Sequence, residues 1–371
     1  MAEKTAPPYK VLIIDDSAVV RQTLKEIYSS DPELEVVGTA PDALIALKKL
    51  GELKPDVLSL DVQMPRMDGL TFLERLMKSN PMPVGMVSAL TTKGSQEALR
   101  SLELGAVDIV EKPKLDVREG LEEISIQICD KIKAAAQARL KTAHQRYLSP
   151  QKKLSADAIL PAKASVSKTK EQESLIAIGA STGGTVALRE LLTPLPSDMP
   201  GIVVVQHMPK AFTKSFSENL DKDCRLKVQE AGEGEKVERG KVLVSPGDKH
   251  MMLKLDGNGY SVTMNNGELV NRHRPSVDVL FRSVANLAGS NSIGVILTGM
   301  GDDGAKGMVE MHDAGSHTLA QDEESCVVYG MPRKAVENGA VDEVLNLEKI
   351  SKRLIELRLS LIHISEPTRP Y

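Results

Sequence analysis

Val11-Leu12-Ile13-Ile14-Asp15-Asp16-Ser17 decides how the first half of this chain is read. Four apolar residues run straight into two carboxylates and a hydroxyl. A run this short and continuous fits a strand buried on both faces of a parallel sheet. The acids then fall at its carboxyl end, the edge where open parallel sheets bind ligands. The same grammar recurs outward from this point. Val57–Leu60 runs into Asp61, Val84–Val87 into Ser88, and Val107–Val110 is followed shortly by Lys112. Amphipathic helical patterns such as Val19–Tyr28 and Ala43–Leu50 lie between them. Alternation of this kind predicts a parallel α/β sheet covered on both faces.

A second block of the same kind begins at Leu175. Its strand candidates are Leu175–Ile178, Ile202–Val205, Val242–Val244 and Ile293–Leu297, and Asp256-Gly257-Asn258-Gly259 reads as a hairpin turn. Between the blocks, a helical pattern over Leu121–Leu148 becomes increasingly polar. Ser149–Ser174 is rich in Lys, Ser, Ala, Pro and Gln without periodicity, and is expected to be a flexible linker. The expected domains are residues 1–130, a helix extension and linker over 131–173, and a second domain over 174–359. No internal repeat relates the two blocks.

The 371 residues suit two domains, with 41% hydrophobic residues to build their cores. Lys and Arg number 47 against 51 Asp and Glu, a balance that argues against coating nucleic acid or an anionic membrane. Cys129, Cys224 and Cys326 are widely spaced, which excludes a disulfide scaffold or a CxxC zinc site and suits a reducing cytoplasm. No apolar run approaches a membrane span and Met1–Lys10 lacks a signal-peptide core, so no membrane insertion is expected.

Asp15, Asp16 and Asp61 would meet at one sheet edge. Three carboxylates there repel unless a cation joins them, and all-oxygen ligation selects a hard ion such as Mg²⁺. Ser88 and Lys112 add a hydroxyl and an ammonium, a suitable surrounding for a phosphoryl group. Any one of these acids, taken alone, is better read as a turn residue or helix N-cap. The ordered set is not. The pieces IIDDS (Ile13–Ser17), DVQMPRMDG (Asp61–Gly69), Ser88-Ala89 and Lys112-Pro113 resemble the receiver domain of bacterial response regulators. The resemblance covers roughly Lys10–Ile128. It implies a flavodoxin-like sheet of order 2-1-3-4-5 and phosphorylation of Asp61 by a histidine kinase. It further implies Mg²⁺ on Asp15, Asp16, Asp61 and the Gln63 carbonyl, with Ser88 and Lys112 sensing the phosphoryl group.

In the second block, Ile176-Ala177-Ile178-Gly179-Ala180-Ser181-Thr182-Gly183-Gly184 reads as a strand, a small-residue turn and a helix start. A serine at such a turn stands above the sheet, near backbone N–H groups suited to an oxyanion. A phosphate-cradling turn and a plain helix N-cap are the competing readings. No Lys follows the glycines as a P-loop requires. His207 follows another strand, and Thr298-Gly299-Met300-Gly301-Asp302-Asp303-Gly304 ends a third. Serine, histidine and acid on the strand ends of one sheet follow triad logic. Spacing alone leaves Asp302 and Asp303 equally open as the acid. His250 and His273 sit in polar loops and are expected to border the cleft. His312 and His317 are expected at the surface, with His144 in the polar helix and His363 in the tail.

GASTGG, QHM (Gln206–Met208), SPGDKHM (Ser245–Met251), NRHRPSVDVLF (Asn271–Phe281) and TGMGDDGAKG (Thr298–Gly307) together resemble the catalytic domain of chemotaxis protein-glutamate methylesterases. With the receiver and linker, the resemblance spans nearly the whole chain. It implies a doubly wound, mostly parallel α/β catalytic domain. It implies a triad of Ser181, His207 and Asp303, chosen over Asp302 by motif alignment although Asn is common at 302. The Thr182 and Met300 backbone N–H groups would form the oxyanion hole. The implied reaction hydrolyses glutamate γ-methyl esters on chemoreceptors, releasing methanol, and deamidates receptor glutamines. No cofactor is implied in this domain, and no nucleic acid as partner. A response regulator with a non-catalytic binding output is the alternative. Ser360–Tyr371 breaks the apolar pattern of Leu347–Leu359 and resembles a translated sequencing adapter, so it is expected to be foreign to the fold.

Overall fold

Val11–Ile14 are fully buried on an interior strand of the first sheet. In this computed structural model the described residues are 7–88, 92–113, 121–138, 153–162, 174–257 and 259–365. They form two units, divided between Gln151 and Lys152. The first contains β1 (Tyr9–Ile14), α1 (Ala18–Ser29), β2 (Leu34–Ala40), α2 (Ala43–Leu53), β3 (Val57–Asp61), α3 (Gly69–Ser79), β4 (Val84–Ser88), α4 (Thr92–Glu103), β5 (Asp108–Glu111) and α5 (Leu121–Gln137). Its sheet runs β2-β1-β3-β4-β5 with every pair parallel, the flavodoxin-like order. Ser17, Asp42 and Asp68 cap α1, α2 and α3, each accepting from a backbone N–H three residues on.

The second unit contains β6 (Leu175–Ala180), α6 (Gly184–Leu192), β7 (Gly201–Gln206), α7 (Lys210–Asp223), β8 (Lys227–Glu230), β9 (Lys236–Val237), β10 (Lys241–Val244), β11 (His250–Asp256), β12 (Gly259–Asn265), α8 (Val277–Leu287), β13 (Ser292–Ile296), α9 (Ala305–Asp313), β14 (His317–Gln321), α10 (Met331–Glu337), β15 (Glu343–Leu345) and α11 (Leu347–Ser365). A parallel sheet runs β15-β14-β13-β6-β7-β10-β8. A smaller antiparallel sheet, β11-β12-β9, holds the expected hairpin. Helix α8 is buried over most of its length. Its Val277, Leu280, Phe281 and Val284 share one core with Leu175 and Val203 of the large sheet and with Met251, Leu253 and Val262 of the hairpin. An apolar helix with buried surface on several sides belongs between two layers, which is where α8 lies.

One expectation is corrected. Residues 153–162, read as part of the flexible linker, instead pack on the second unit. Ala156 opens a 3₁₀ turn, Ala156–Ala158, and is buried against Val270 and Val279. Composition misled here because the contacts of this segment are mostly polar and long-range. The Arg282 guanidinium donates to Asp157 (2.6 Å) and to the Leu160 carbonyl (3.0 Å), and the Asn286 amide donates to the Pro161 carbonyl (3.0 Å). The backbone of α11 is helical to Ser365, and no helix breaker occurs before Pro367. Residues 366–371, His144 and the rest of the linker lie outside the described residues. Among the described residues, no helix is long and apolar enough to cross a membrane.

Candidate active site and phosphoacceptor site

Register fixes which candidate residues are neighbours. Ala180 and Gln206 are paired across β6 and β7, so the next residues, Ser181 and His207, leave adjacent strand ends together. The His207 N–H donates to the Ala180 carbonyl (3.1 Å), and the Gln206 side-chain amide donates to the Ser181 carbonyl (2.9 Å). On the other side of β6 lies β13, from which the chain continues through Thr298 to Asp303. The Ser181 N–H donates to the Thr298 carbonyl (3.0 Å). A methyl on Gly299 would lie 2.7 Å from Ser181 Cβ, so only glycine lets this backbone approach the serine so closely. Met300 therefore follows directly on the chain that touches Ser181, and Thr182 precedes the amino end of α6.

The structure separates the two acids. Asp303 is 1% exposed, and its Oδ2 receives His207 Nε2 at 2.8 Å. Asp302 is partly exposed and pairs with Lys153. Four further donors meet Asp303: the Val277 N–H (2.7 Å), the Asp278 N–H (3.2 Å), the Ser276 hydroxyl (2.8 Å) and the Asn271 amide (2.7 Å). Two of these are N–H groups of the first turn of α8, capped by Ser276, so the helix's positive end faces the carboxylate. Burial pushes this carboxyl up, but the bond from His207, then the neighbouring His207 and His273 rings and the Asn271 amide, outweigh it and hold it far below the usual carboxylate range. The anion is thus held ready to orient the imidazole. His207 Nδ1 is buried and has no hydrogen-bond partner. With Nε2 committed to Asp303, Nδ1 is the nitrogen available to a proton from Ser181.

Several neighbours carry no signal in spacing alone. His273, expected only to border the cleft, stacks on His207 with ring centroids 3.7 Å apart and planes 14° from parallel. His250 is fully buried; its Nε2 meets the Glu268 carbonyl and its Nδ1 accepts from the Ser276 N–H. Asn271 divides its amide between Asp303 and Asp278 (2.6 Å). Burial, then the Asp303 charge, push the Asp278 carboxyl well above the usual carboxylate range. His312 and His317 are partly exposed and meet Asp342 and Glu343, away from this centre.

In the first unit, Asp15 follows β1 and Asp61 ends β3, neighbours at the point where strand order reverses. Both are buried, whereas Asp16 is exposed, and oxygens of all three lie within 4.8 Å of one another. Lys112 Nζ bridges Asp15 (2.9 Å) and Asp61 (2.8 Å). Burial pushes the Asp61 carboxyl up to about 6, against the pull of Lys112. Ser88 is buried at the end of β4, and its carbonyl accepts the Lys112 N–H at 2.9 Å. Gly69 packs so tightly that a methyl there would stand 2.0 Å from the Asp61 carbonyl oxygen, which explains the glycine of the DVQMPRMDG motif. The donor set is oxygen only, and Lys112 pairs with Asp15 and Asp61 while the Arg21 guanidinium meets the Asp15 and Asp16 backbone carbonyls. A hard divalent ion fits these residues.

Comparison with known proteins agrees with both halves. The CheB methylesterase family model matches residues 176–354, and the response regulator receiver domain model matches residues 11–124. A protein-glutamate methylesterase/protein-glutamine glutaminase of Oleidesulfovibrio alaskensis is 52% identical over 94% of this chain and 98% of its own length. One from Salmonella typhimurium is 52% identical over 93% of this chain and 96% of its own length. The crystal structure of the Thermotoga maritima CheB methylesterase catalytic domain is also similar, at 42% identity, covering 50% of this chain and 98% of that one with a TM-score of 0.49. Half the residues are shared over nearly the full length of such relatives, and the chain belongs to the protein-glutamate methylesterase/protein-glutamine glutaminase family, with a receiver domain ahead of the CheB methylesterase domain.

Proposed function

We propose that this enzyme removes methyl groups from glutamate γ-esters on methyl-accepting chemoreceptors and deamidates specific receptor glutamines, under control of phosphorylation at Asp61. The observation that carries the catalytic reading is the buried Asp303–His207 pair at 2.8 Å, next to the strand end that bears Ser181. Ser181 Oγ attacks the ester carbonyl as His207 Nδ1 takes its proton. The Thr182 and Met300 backbone N–H groups stabilise the oxyanion of the tetrahedral intermediate. Collapse breaks the bond to the methoxy oxygen, which receives the proton from His207 and leaves as methanol. Water, deprotonated by His207, then attacks the acyl-enzyme, freeing glutamate and restoring Ser181. A glutamine side chain follows the same course and releases ammonia. Throughout, Asp303 keeps its charge and holds the ring.

In the receiver, Asp61 accepts a phosphoryl group from the phosphohistidine of a chemotaxis histidine kinase. Asp15, Asp16, Asp61 and the Gln63 carbonyl would hold Mg²⁺, which when bound offsets the charge on the phosphoryl oxygens. Lys112 then exchanges its ion pair with Asp61 for the phosphoryl group, and Ser88 donates its hydroxyl. Such a local charge change biases a two-state element of the receiver and through it the esterase. The proposed setting is adaptation in the bacterial cytoplasm. Methanol release from methylated receptor, measured with and without acetyl phosphate and Mg²⁺, tests the reading. Wild type should be activated and Asp61→Asn should not. Equal activation of both would remove Asp61 from the account.

A further inference from the structure

The segment that docks on the second unit reaches the residues that hold Asp303. Residues 153–162 form a strap, and its Leu154 carbonyl accepts the Asn271 N–H at 2.9 Å. The next polar contact from Asn271 is its side-chain amide on Asp303. Asn271 and Arg272 both adopt left-handed backbone (φ 50° and 70°), which costs a non-glycine residue about 1–2 kcal/mol. Such a turn persists only where its surroundings hold it. Here Val270 and His273 pair across it, and the strap carbonyl takes the N–H between them. The same short loop thus presents Asn271 to the acid and the His273 ring to His207. The strap is fastened at three places. Ala156 is buried against Val270 and Val279, Asp157 and the Leu160 carbonyl bind the buried Arg282 of α8, and Lys153 pairs with Asp302, beside the acid itself.

We infer that residues 153–162 are a positioning element of the esterase centre: by taking the Asn271 N–H through Leu154 and anchoring on Arg282, the strap fixes the amide that holds Asp303. This rests on the triad of the proposed mechanism. With the strap displaced, the Asn271 N–H loses its acceptor and the left-handed turn loses a restraint. Asp303 then has a looser partner on Oδ1, and the His207 ring a looser neighbour on its face. The effect belongs in turnover, since the strap acts through Asn271 and His273 on Asp303 and His207, the groups of the chemical step.

The test uses the full-length chain. Ala156→Asp puts a charge into the apolar contact with Val270 and Val279. Asp157→Arg sets a second guanidinium against Arg282 at an exposed position where folding is not at risk. Asp157→Glu keeps the ion pair. Three quantities are measured: kcat and KM for methanol release, and the rate at which an organophosphonate labels Ser181. Ala156→Asp should lower kcat and labelling about ten- to a hundredfold with KM within about twofold, and Asp157→Arg should follow it several-fold, because small misplacements of catalytic groups act on the chemical step. Asp157→Glu should restore wild-type kcat. Should Ala156→Asp not fold, Asp157→Arg decides. A kcat within about twofold of wild type for Asp157→Arg, or a change confined to KM, overturns the inference and leaves the strap as packing. Ser181→Ala in the same assay keeps the two questions apart, because activity surviving there would refute the triad, whatever the strap does.

Discussion

Asp303→Asn removes one charge and changes no volume, and its consequences follow from five hydrogen bonds. Oδ1 accepts from Asn271, Ser276 and the Asp278 N–H; Oδ2 accepts from His207 and the Val277 N–H. An amide must turn its NH₂ toward one of these sets. Toward the second set, the Val277 N–H is left without an acceptor, and His207 must offer Nε2 as an acceptor. The ring proton then sits on Nδ1, which can no longer take the proton of Ser181. Toward the first set, the Ser276 hydroxyl can rotate, but the Asp278 N–H and the Asn271 amide face a donor. One or two buried groups go unsatisfied, at about 1–3 kcal/mol each, so stability falls by about 2–5 kcal/mol. For a unit of this size that lowers Tm by roughly 5–20 °C. Turnover should fall by about 10⁴, the scale of losing the triad acid in a serine hydrolase. Asp302→Asn loses only a partly exposed pair with Lys153, worth about 1 kcal/mol or less, and should stay within a few-fold of wild type. Methanol release and thermal melting by circular dichroism read both effects. Asp303→Asn retaining more than about a hundredth of turnover, or Asp302→Asn proving the slower, would refute the assignment.

Gly299→Ala should cut turnover by about a hundredfold or more, because its methyl would stand 2.7 Å from Ser181 Cβ and 2.3 Å from Met331 Sδ; methanol release checks this, and wild-type rates would show that the loop gives way at no cost. A catalytic fragment starting at Lys152 should exceed the unphosphorylated full chain in turnover, whereas one starting at Ser174 lacks the strap and should fall below the longer fragment; a slower Lys152 fragment than full chain would show that the receiver acts only positively. Deleting Ser360–Tyr371 should leave activity and Tm unchanged, and a Tm lowered by several degrees would show that this end of the chain packs.

Much of this was legible because strand ends carry chemistry in parallel sheets. Asp15, Asp61, Ser88, Lys112, Ser181 and His207 all lie directly at or after apolar runs, and both sheets put those ends on one edge. Strands β2, β8, β14 and β15 were harder to see. Three of them, β2, β8 and β15, are sheet edges with half-exposed patterns, and β15 is only three residues long. Spacing could not choose between Asp302 and Asp303, because adjacent residues on a turn point in different directions and only the fold says which points inward. Asn271 and Asp278 were invisible for a related reason: they reach Asp303 from more than 20 positions away through a loop and a helix start. The strap carries little signal of its own because its Leu154, Ile159 and Leu160 show no sustained periodicity among small and polar residues, and its partner Arg282 lies over 100 residues downstream.

The central claim is that Ser181 is the nucleophile of this methylesterase. Mass spectrometry of the full-length protein after treatment with an organophosphonate tests it most directly. The account predicts one adduct, on the peptide carrying Ser181, formed in step with loss of methanol release and absent from Ser181→Ala. An adduct on another residue, or full methanol release from Ser181→Ala, would contradict it.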